Sequence, residues 1–90
     1  MINVAILGLG TIGSGVYDII TNDRELIKKK TGLDLKVTRA LDLRDFTGTP
    51  VESIATKDFS DIEGDDSIGV VVETMGGTKP AYEFVKARTR

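Results

Sequence analysis

Histidine, cysteine and tryptophan are all missing from this chain of 90 residues, and proline occurs only twice. Without cysteine there is neither a disulfide framework nor a thiolate metal site. Without histidine as well, zinc binding and imidazole-based acid–base catalysis are excluded within these residues. No apolar run approaches the roughly 18 residues that a membrane-spanning helix needs. A surplus of one charge is also missing: 12 basic and 14 acidic side chains leave a net charge of −2. That gives no electrostatic footprint for nucleic acid or for an anionic membrane. The one basic run, Lys28-Lys29-Lys30, falls at the end of a predicted helix, where cations complement the dipole. Met1-Ile2-Asn3-Val4 runs straight into a strand pattern, without the basic and apolar regions of a secretion signal. A cytoplasmic protein is the expectation.

Glycine, by contrast, is plentiful, with ten residues. Three of them form Gly8-Leu9-Gly10-Thr11-Ile12-Gly13, directly after the apolar run Val4-Ala5-Ile6-Leu7. The spacing alone is weak evidence; between a buried strand and an amphipathic helix it has a mechanism. Gly8 permits the tight turn, Gly10 lets a pyrophosphate approach the backbone, and Gly13 lets the helix pack closely on the strand. The N–H groups of Leu9 to Gly13, at the positive end of that helix, then become the candidate pyrophosphate ligands, and Thr11 adds a hydroxyl. The plainer alternative is a glycine-rich turn with no ligand.

The hydrophobic pattern predicts a strand over 2–7, its continuous apolar content suited to the middle of a parallel sheet. Ile12, Val16, Ile19 and Ile20 share one helical stripe that Leu26 and Ile27 continue, with a break near Thr21-Asn22 and Gly32 as the C-cap. A second strand is expected over 35–43, with Arg39 interrupting its apolar set. The turn-rich segment 45–50 replaces the usual crossover helix. A short strand over 53–56, a short helix burying Phe59 and Ile62, and a β-branched strand over 68–73 follow. A last helix is expected from a Thr78 cap, with Pro80 in its first turn and Ala81, Phe84 and Val85 inward. Together these predict an α/β fold: an incomplete doubly wound, Rossmann-type parallel sheet of about four strands in order 3-2-1-4 with flanking helices. Residues 1–90 read as the amino-terminal part of such a domain, its fourth strand left as an exposed apolar edge.

Two further places at the carboxyl ends of strands carry chemistry. The tip of strand 2 reads Leu41-Asp42-Leu43-Arg44-Asp45. In one register Asp42 is an acid for the ribose hydroxyls and the cofactor is NAD. In the other, Leu43 lies on the apolar face and Arg44 sits beside the 2′-phosphate of NADP, the register preferred here. Lys57 is a further cation within reach, more plainly read as a surface lysine. In Glu73-Thr74-Met75-Gly76-Gly77, the paired glycines let the backbone pass beneath a cofactor, and Glu73 is read as a local hydrogen-bonding group. No catalytic and no metal-ligating residue is assigned.

Val4 to Val16, with the extra glycine at Gly15, resembles the amino-terminal segment of the homoserine dehydrogenases. Val70-Val71-Val72-Glu73-Thr74-Met75-Gly76-Gly77-Thr78-Lys79-Pro80-Ala81-Tyr82-Glu83 is similar to the more specific segment after their fourth strand, and Leu43-Arg44-Asp45 to their strand-2 ending. The resemblance implies an oxidoreductase that interconverts L-aspartate 4-semialdehyde and L-homoserine with NADPH or NADH, on the route to threonine and methionine. It implies that Gly8, Leu9, Gly10, Thr11, Ile12, Gly13, Arg44, Met75 and Gly76 contact the dinucleotide. It also implies that the catalytic lysines, the aspartate and the dimerisation surface lie in a region after residue 90, in a homo-oligomeric parent. The 90 residues alone are expected not to turn over. Another nicotinamide-dependent amino-acid dehydrogenase or reductase, or a non-catalytic dinucleotide sensor, is the competing reading.

Overall fold

The computed structural model of the chain describes residues 1–74 and the backbone of 81–84. Strand β1 (Ile2–Leu7) leads through the glycine turn into helix α1 (Thr11–Asn22), which passes into α2 (Arg24–Thr31). β2 (Leu35–Leu41), a two-residue β3 (Ala55–Thr56), the one-turn α3 (Ser60–Glu63), β4 (Ile68–Glu73) and β5 (Ala81–Phe84) complete the order. The sheet order is β3-β2-β1-β4-β5. The first four strands are parallel, in the predicted order, so β1 lies centrally with β2 and β4 on either side.

Val4, Ala5 and Ile6 are buried because β1 is covered on both sides of the sheet. On one side Val4, Ile6, Val37, Ala40 and Val72 pack with Leu9 and Ile20. Val16, Tyr17 and the loop residues Phe46, Val51 and Ile54 close that core. The irregular crossover between β2 and β3 therefore supplies the apolar cover that a helix would otherwise provide. On the other side the buried cluster among the described residues is Ala5, Ile62 and Ile68, with Leu7, Leu41 and Val71 against it.

The two helices meet at Asp23, which ends α1 and starts α2. Gly32 ends α2 with φ of 78°, the left-handed cap that glycine adopts without strain. The expected stripe is narrower than its pattern: Ile20 is buried, whereas Ile19 and Leu26 are exposed.

Three expectations change. β2 stops at Leu41 instead of residue 43, because the Asp42 carboxylate accepts the Arg44 backbone N–H at 3.0 Å and closes an Asx turn there. Leu43 is consequently 78% exposed and not on an apolar face. Ile62 is buried as expected but Phe59 is largely exposed, because it precedes α3 and faces the carboxyl end of the sheet. The last helix is replaced, where the structure describes it, by β5, which pairs antiparallel with β4 (Val70 with Phe84, Glu73 with Ala81). β4 is thus not the exposed edge of the sheet. A bare β-branched strand presents a row of unpaired backbone groups, and Ala81-Tyr82-Glu83-Phe84 has the aromatic alternation of a strand. That pairing outweighs a short helical pattern that is marginal by itself. Thr78, Pro80 and Val85 lie outside the described residues.

Candidate functional site

The carboxyl ends of β1, β2 and β4 meet at one edge of the sheet, with Leu7 in register with Leu41 on one side and Glu73 on the other. This is where the chain leaves β1 to either flank, the switch point at which open α/β sheets carry their ligand crevice. The glycine turn is tied down from both neighbours. The Gly8 N–H donates to the Leu41 carbonyl at 2.7 Å, and Gly8 holds φ of 102°, a conformation costly to any residue with a Cβ. From β4, the Thr74 N–H donates to the Leu7 carbonyl at 3.1 Å, and its hydroxyl lies 2.9 Å from the Leu7 and Gly8 carbonyls, donating between them.

The glycines of the turn have separate duties. A Cβ at Gly13 would lie 1.8 Å from the Gly8 carbonyl oxygen, so α1 can approach the turn this closely only with glycine there. A Cβ at Gly10 would meet nothing within 4 Å, so the space in front of it is open. Gly10 is also the N-cap of α1, with no side chain capping it and no acidic residue in the first turn. The amides of Thr11, Ile12 and Gly13 accordingly have no acceptor within the helix and lie at the positive end of its dipole. The Ser14 hydroxyl bonds back to the Leu9 carbonyl at 2.9 Å and stiffens the approach.

Leu9 plays a different part. Its side chain is buried in the core, and its N–H donates to Asp42 Oδ2 at 2.8 Å. That amide belongs to the scaffold of the turn and is not open to a ligand. Asp42 also receives Arg44: Nε on Oδ1 at 3.0 Å and Nη2 on Oδ2 at 2.8 Å. The guanidinium lies over the Phe46 ring, 5.4 Å from its centroid. The Arg44 guanidinium holds the Asp42 carboxyl well below the usual carboxylate range against the opposing effect of its partial burial, and the Arg44 and Leu9 backbone N–H groups add to the shift. Asp42 and Arg44, offered by the sequence as alternatives, are therefore partners.

A crevice of about 500 Å³ runs along this edge, with Gly8, Gly10 and Thr74 at one end and Leu43, Lys57 and Phe59 towards the other. A smaller cavity of about 140 Å³ beside it is lined by Arg44, Asp45, Phe46, Thr47 and Lys57 among others, and Asp42 borders both. An open glycine, an uncapped helix and a neighbouring arginine suit a diphosphate with a further phosphate nearby. Exposed Leu43 and Phe59 suit a flat aromatic base. Met75 and Gly76 lie outside the described residues. Thr74, Leu43 and Phe59 line the crevice, and sequence reasoning did not assign them to it. The signal for Thr74 was its position after β4; for the other two it was an apolar residue at a strand tip and one beside a helix start.

The class follows from this geometry: a doubly wound, Rossmann-type α/β sheet with its glycine turn at the switch point. No family model matches the chain. Among curated proteins it is similar to homoserine dehydrogenases, 37% identical over 89 residues to that of Methylobacillus glycogenes and 36% identical over 87 residues to that of Mycobacterium tuberculosis. Each match covers 93% of this chain and 21% and 19% of those proteins respectively. The crystal structure of Staphylococcus aureus homoserine dehydrogenase at pH 8.5 superposes with a TM-score of 0.72 at 36% identity, over 86% of this chain and 20% of that one. The resemblance to the homoserine dehydrogenases thus holds in sequence and in backbone over nearly the whole chain. The chain spans about one fifth of the length of the relatives it matches.

Proposed function

We propose that this chain forms the adenosine and diphosphate half of the nicotinamide-dinucleotide site of a homoserine dehydrogenase acting in the cytoplasm. That enzyme interconverts L-aspartate 4-semialdehyde and L-homoserine on the route to threonine and methionine. The bound nicotinamide supplies or accepts the hydride; the residues of this chain bind and orient the other end of the molecule. The Gly10, Thr11, Ile12 and Gly13 amides take the diphosphate, Gly10 by leaving the backbone bare. Arg44 takes the 2′-phosphate of NADP, the preferred cofactor, through a charge-assisted bond. Met75 and Gly76, which follow β4 in the sequence, complete the proposed contact set. The amino-acid substrate, the catalytic groups and the oligomer contacts belong to the region that the relatives have and this chain does not span.

The observation that carries this reading is the pairing of an impossible Cβ at Gly13 with an open one at Gly10: one glycine serves packing, the other has no packing reason to be glycine. Gly10→Ala is therefore the diagnostic variant. It should cost at most about 1 kcal/mol of stability, as an N-cap change, yet abolish the NADP-induced shifts of the Thr11, Ile12 and Gly13 amides in a nitrogen-15 NMR titration. Unchanged titration behaviour in Gly10→Ala, or no shift of those amides in the wild type, would sink the reading. A dinucleotide sensor would give the same shifts, but the protein carrying the chain would show no homoserine-dependent reduction of NADP.

A further inference from the structure

Helix α1 carries more apolar surface than its own sheet covers. Val16, Tyr17 and Ile20 pack into the core, and Gly13 lies against the Gly8 carbonyl. Successive helical residues stand about 100° apart, so Ile19 does not share the direction of buried Ile20, and it is 57% exposed. Ile12, Gly15, Ile19, Asn22 and Leu26 recur at alternating intervals of three and four, the a and d spacing of a heptad, with no charged residue among them. Backbone hydrogen bonds continue through the junction of α1 and α2: the Asp23 N–H donates to the Ile19 carbonyl and the Ile27 N–H to the Asp23 carbonyl, each at 2.9 Å. Leu26, beyond that junction, is 48% exposed. Gly15 is the member of this line that nothing inside the chain explains. It lies within a helix, where glycine is less stable than alanine, and its φ is not among the positive ones. A Cβ on it would meet nothing within 4 Å among the described residues. The Ser14 N–H already bonds the Gly10 carbonyl at 2.8 Å, so the Gly15 amide lies inside the helical ladder and is not one of the open donors at the helix start.

We propose that this line is a helix-docking face, and that its occupant is a helix from the remainder of the longer protein, crossing α1 at Gly15. The match covers 21% and 19% of the relatives' length, so about four fifths of such a protein is available to supply it. The spacing selects a helix as the occupant, because a narrow a and d seam accepts another helix laid along it. The missing side chain at Gly15 lets the two backbones approach at the short end of the usual interaxial range of about 8–10 Å. Ile12, half-buried, and Ile19 flank that crossing one turn to either side and lose their remaining exposure to the partner. The proposal rests on the larger enzyme of the reading above, not on its dinucleotide. It gives that enzyme a seat on the helix whose first amides take the diphosphate, so the two ends of the active site are held by one element.

The test is a reversal of sign between two contexts. In the 90-residue chain, Gly15→Ala enters open space and favours the helix, so it should raise the melting temperature by about 2–8 °C. In the whole enzyme the added methyl meets the seated helix, and the same substitution should lower the melting temperature. Ile19→Ala should change the chain little and lower the melting temperature of the enzyme. A rise with Gly15→Ala in both contexts, or equal effects of Ile19→Ala in both, overturns the proposal. A second measurement uses wild-type protein alone, so it stands even if the variants fold poorly. Hydroxyl-radical oxidation should reach Ile19 and Leu26 in the chain and be lost at both in the enzyme; equal labelling overturns the proposal. Two other occupants have their own signatures. A dimer of the 90-residue chain in sedimentation that Ile19→Asp dissolves makes the occupant a second copy, and loss of the NADP-induced amide shifts in Gly15→Ala makes it the dinucleotide. Either result also overturns the proposal. No shift of the glycine-turn amides in the wild type removes the dinucleotide reading and leaves the melting and labelling outcomes to decide this one.

Discussion

Gly13 is the most constrained residue of the turn. Its missing side chain points at backbone, the Gly8 carbonyl oxygen at 1.8 Å and carbon at 2.8 Å, with the Thr74 hydroxyl at 3.0 Å. Backbone cannot rotate aside as a side chain can, so Gly13→Ala must push α1 off β1. The expected cost is at least about 1–3 kcal/mol, the range for overpacking, read as a fall in the urea midpoint by circular dichroism. Asp42 makes a prediction of opposite character, tied to pH. Its folded-state ionisation lies below the unfolded value of about 3.9, so its contribution is fully present above that value and is lost as the pH falls through and below it. Asp42→Asn should therefore lower the melting temperature at pH 7, with the gap to the wild type narrowing from about pH 4 downwards; a gap independent of pH would show that the ion pair does not matter. On the proposed function, Arg44→Ala should weaken NADPH more than NADH, by up to about 1.5–3 kcal/mol for a lost charge-assisted bond, checked by the two KM values. The turn at Gly8 and the close packing at Gly13 were legible in the sequence because each follows from the absence of a Cβ at a fixed spacing. The Asp42–Arg44 pair was not: alternation allowed either residue to face the ligand, and nothing in a pattern of period two signals that an Asx turn brings both together.

At the scale of elements, what the sequence shows well is what repeats. β1 and β4 run over the residues that their apolar and β-branched character marks, 2–7 and 68–73. The C-cap at Gly32 follows from the lysine-rich last turn before it and the left-handed conformation only glycine takes freely. Gly32→Ala meets no neighbouring atom within 4 Å but must hold φ near 78°. It should cost about 1–2 kcal/mol, the strain of a left-handed L-residue, and a Gly32→Asn variant should recover part of that in a thermal melt because asparagine tolerates this region. Elements settled by tertiary pairing were harder to see. β3 is two residues long, held by Ala40 and Leu41 of β2, and no local signal sets such a length. The segment 81–84 carries apolar residues at both helical and strand spacing, and the unpaired edge of β4 decided between them. Phe59 shows the same limit at the boundary of α3: one residue of shift moves an aromatic from the core to the crevice.

At the scale of the whole molecule, the two sides of the sheet are unequally filled among the described residues. Among the described residues the α1 side has seven buried residues in its cluster with seven partly buried ones against them, whereas the opposite side has three buried and three partly buried. Of those three buried residues only Ile62 comes from a helix; Ala5 and Ile68 belong to the sheet itself. Ile62 is 1% exposed and is held by a single turn whose amides bond to Asp58, Phe59 and Ser60 carbonyls. Truncating it removes both its transfer free energy and the support over Ala5. Ile62→Ala should cost about 2–5 kcal/mol, against a total that for domains of this size is of the order of 5 kcal/mol. The variant should thus melt close to ambient temperature. Because α3 reaches the crevice edge through neighbouring Phe59, it should lose affinity for the adenine end of a dinucleotide before it loses the glycine turn. Hydrogen exchange would order these events: the amides of α3 and β3 should open first, and those of β1 last. Equal protection across both sides of the sheet in Ile62→Ala would mean that the α1 core alone sustains the fold.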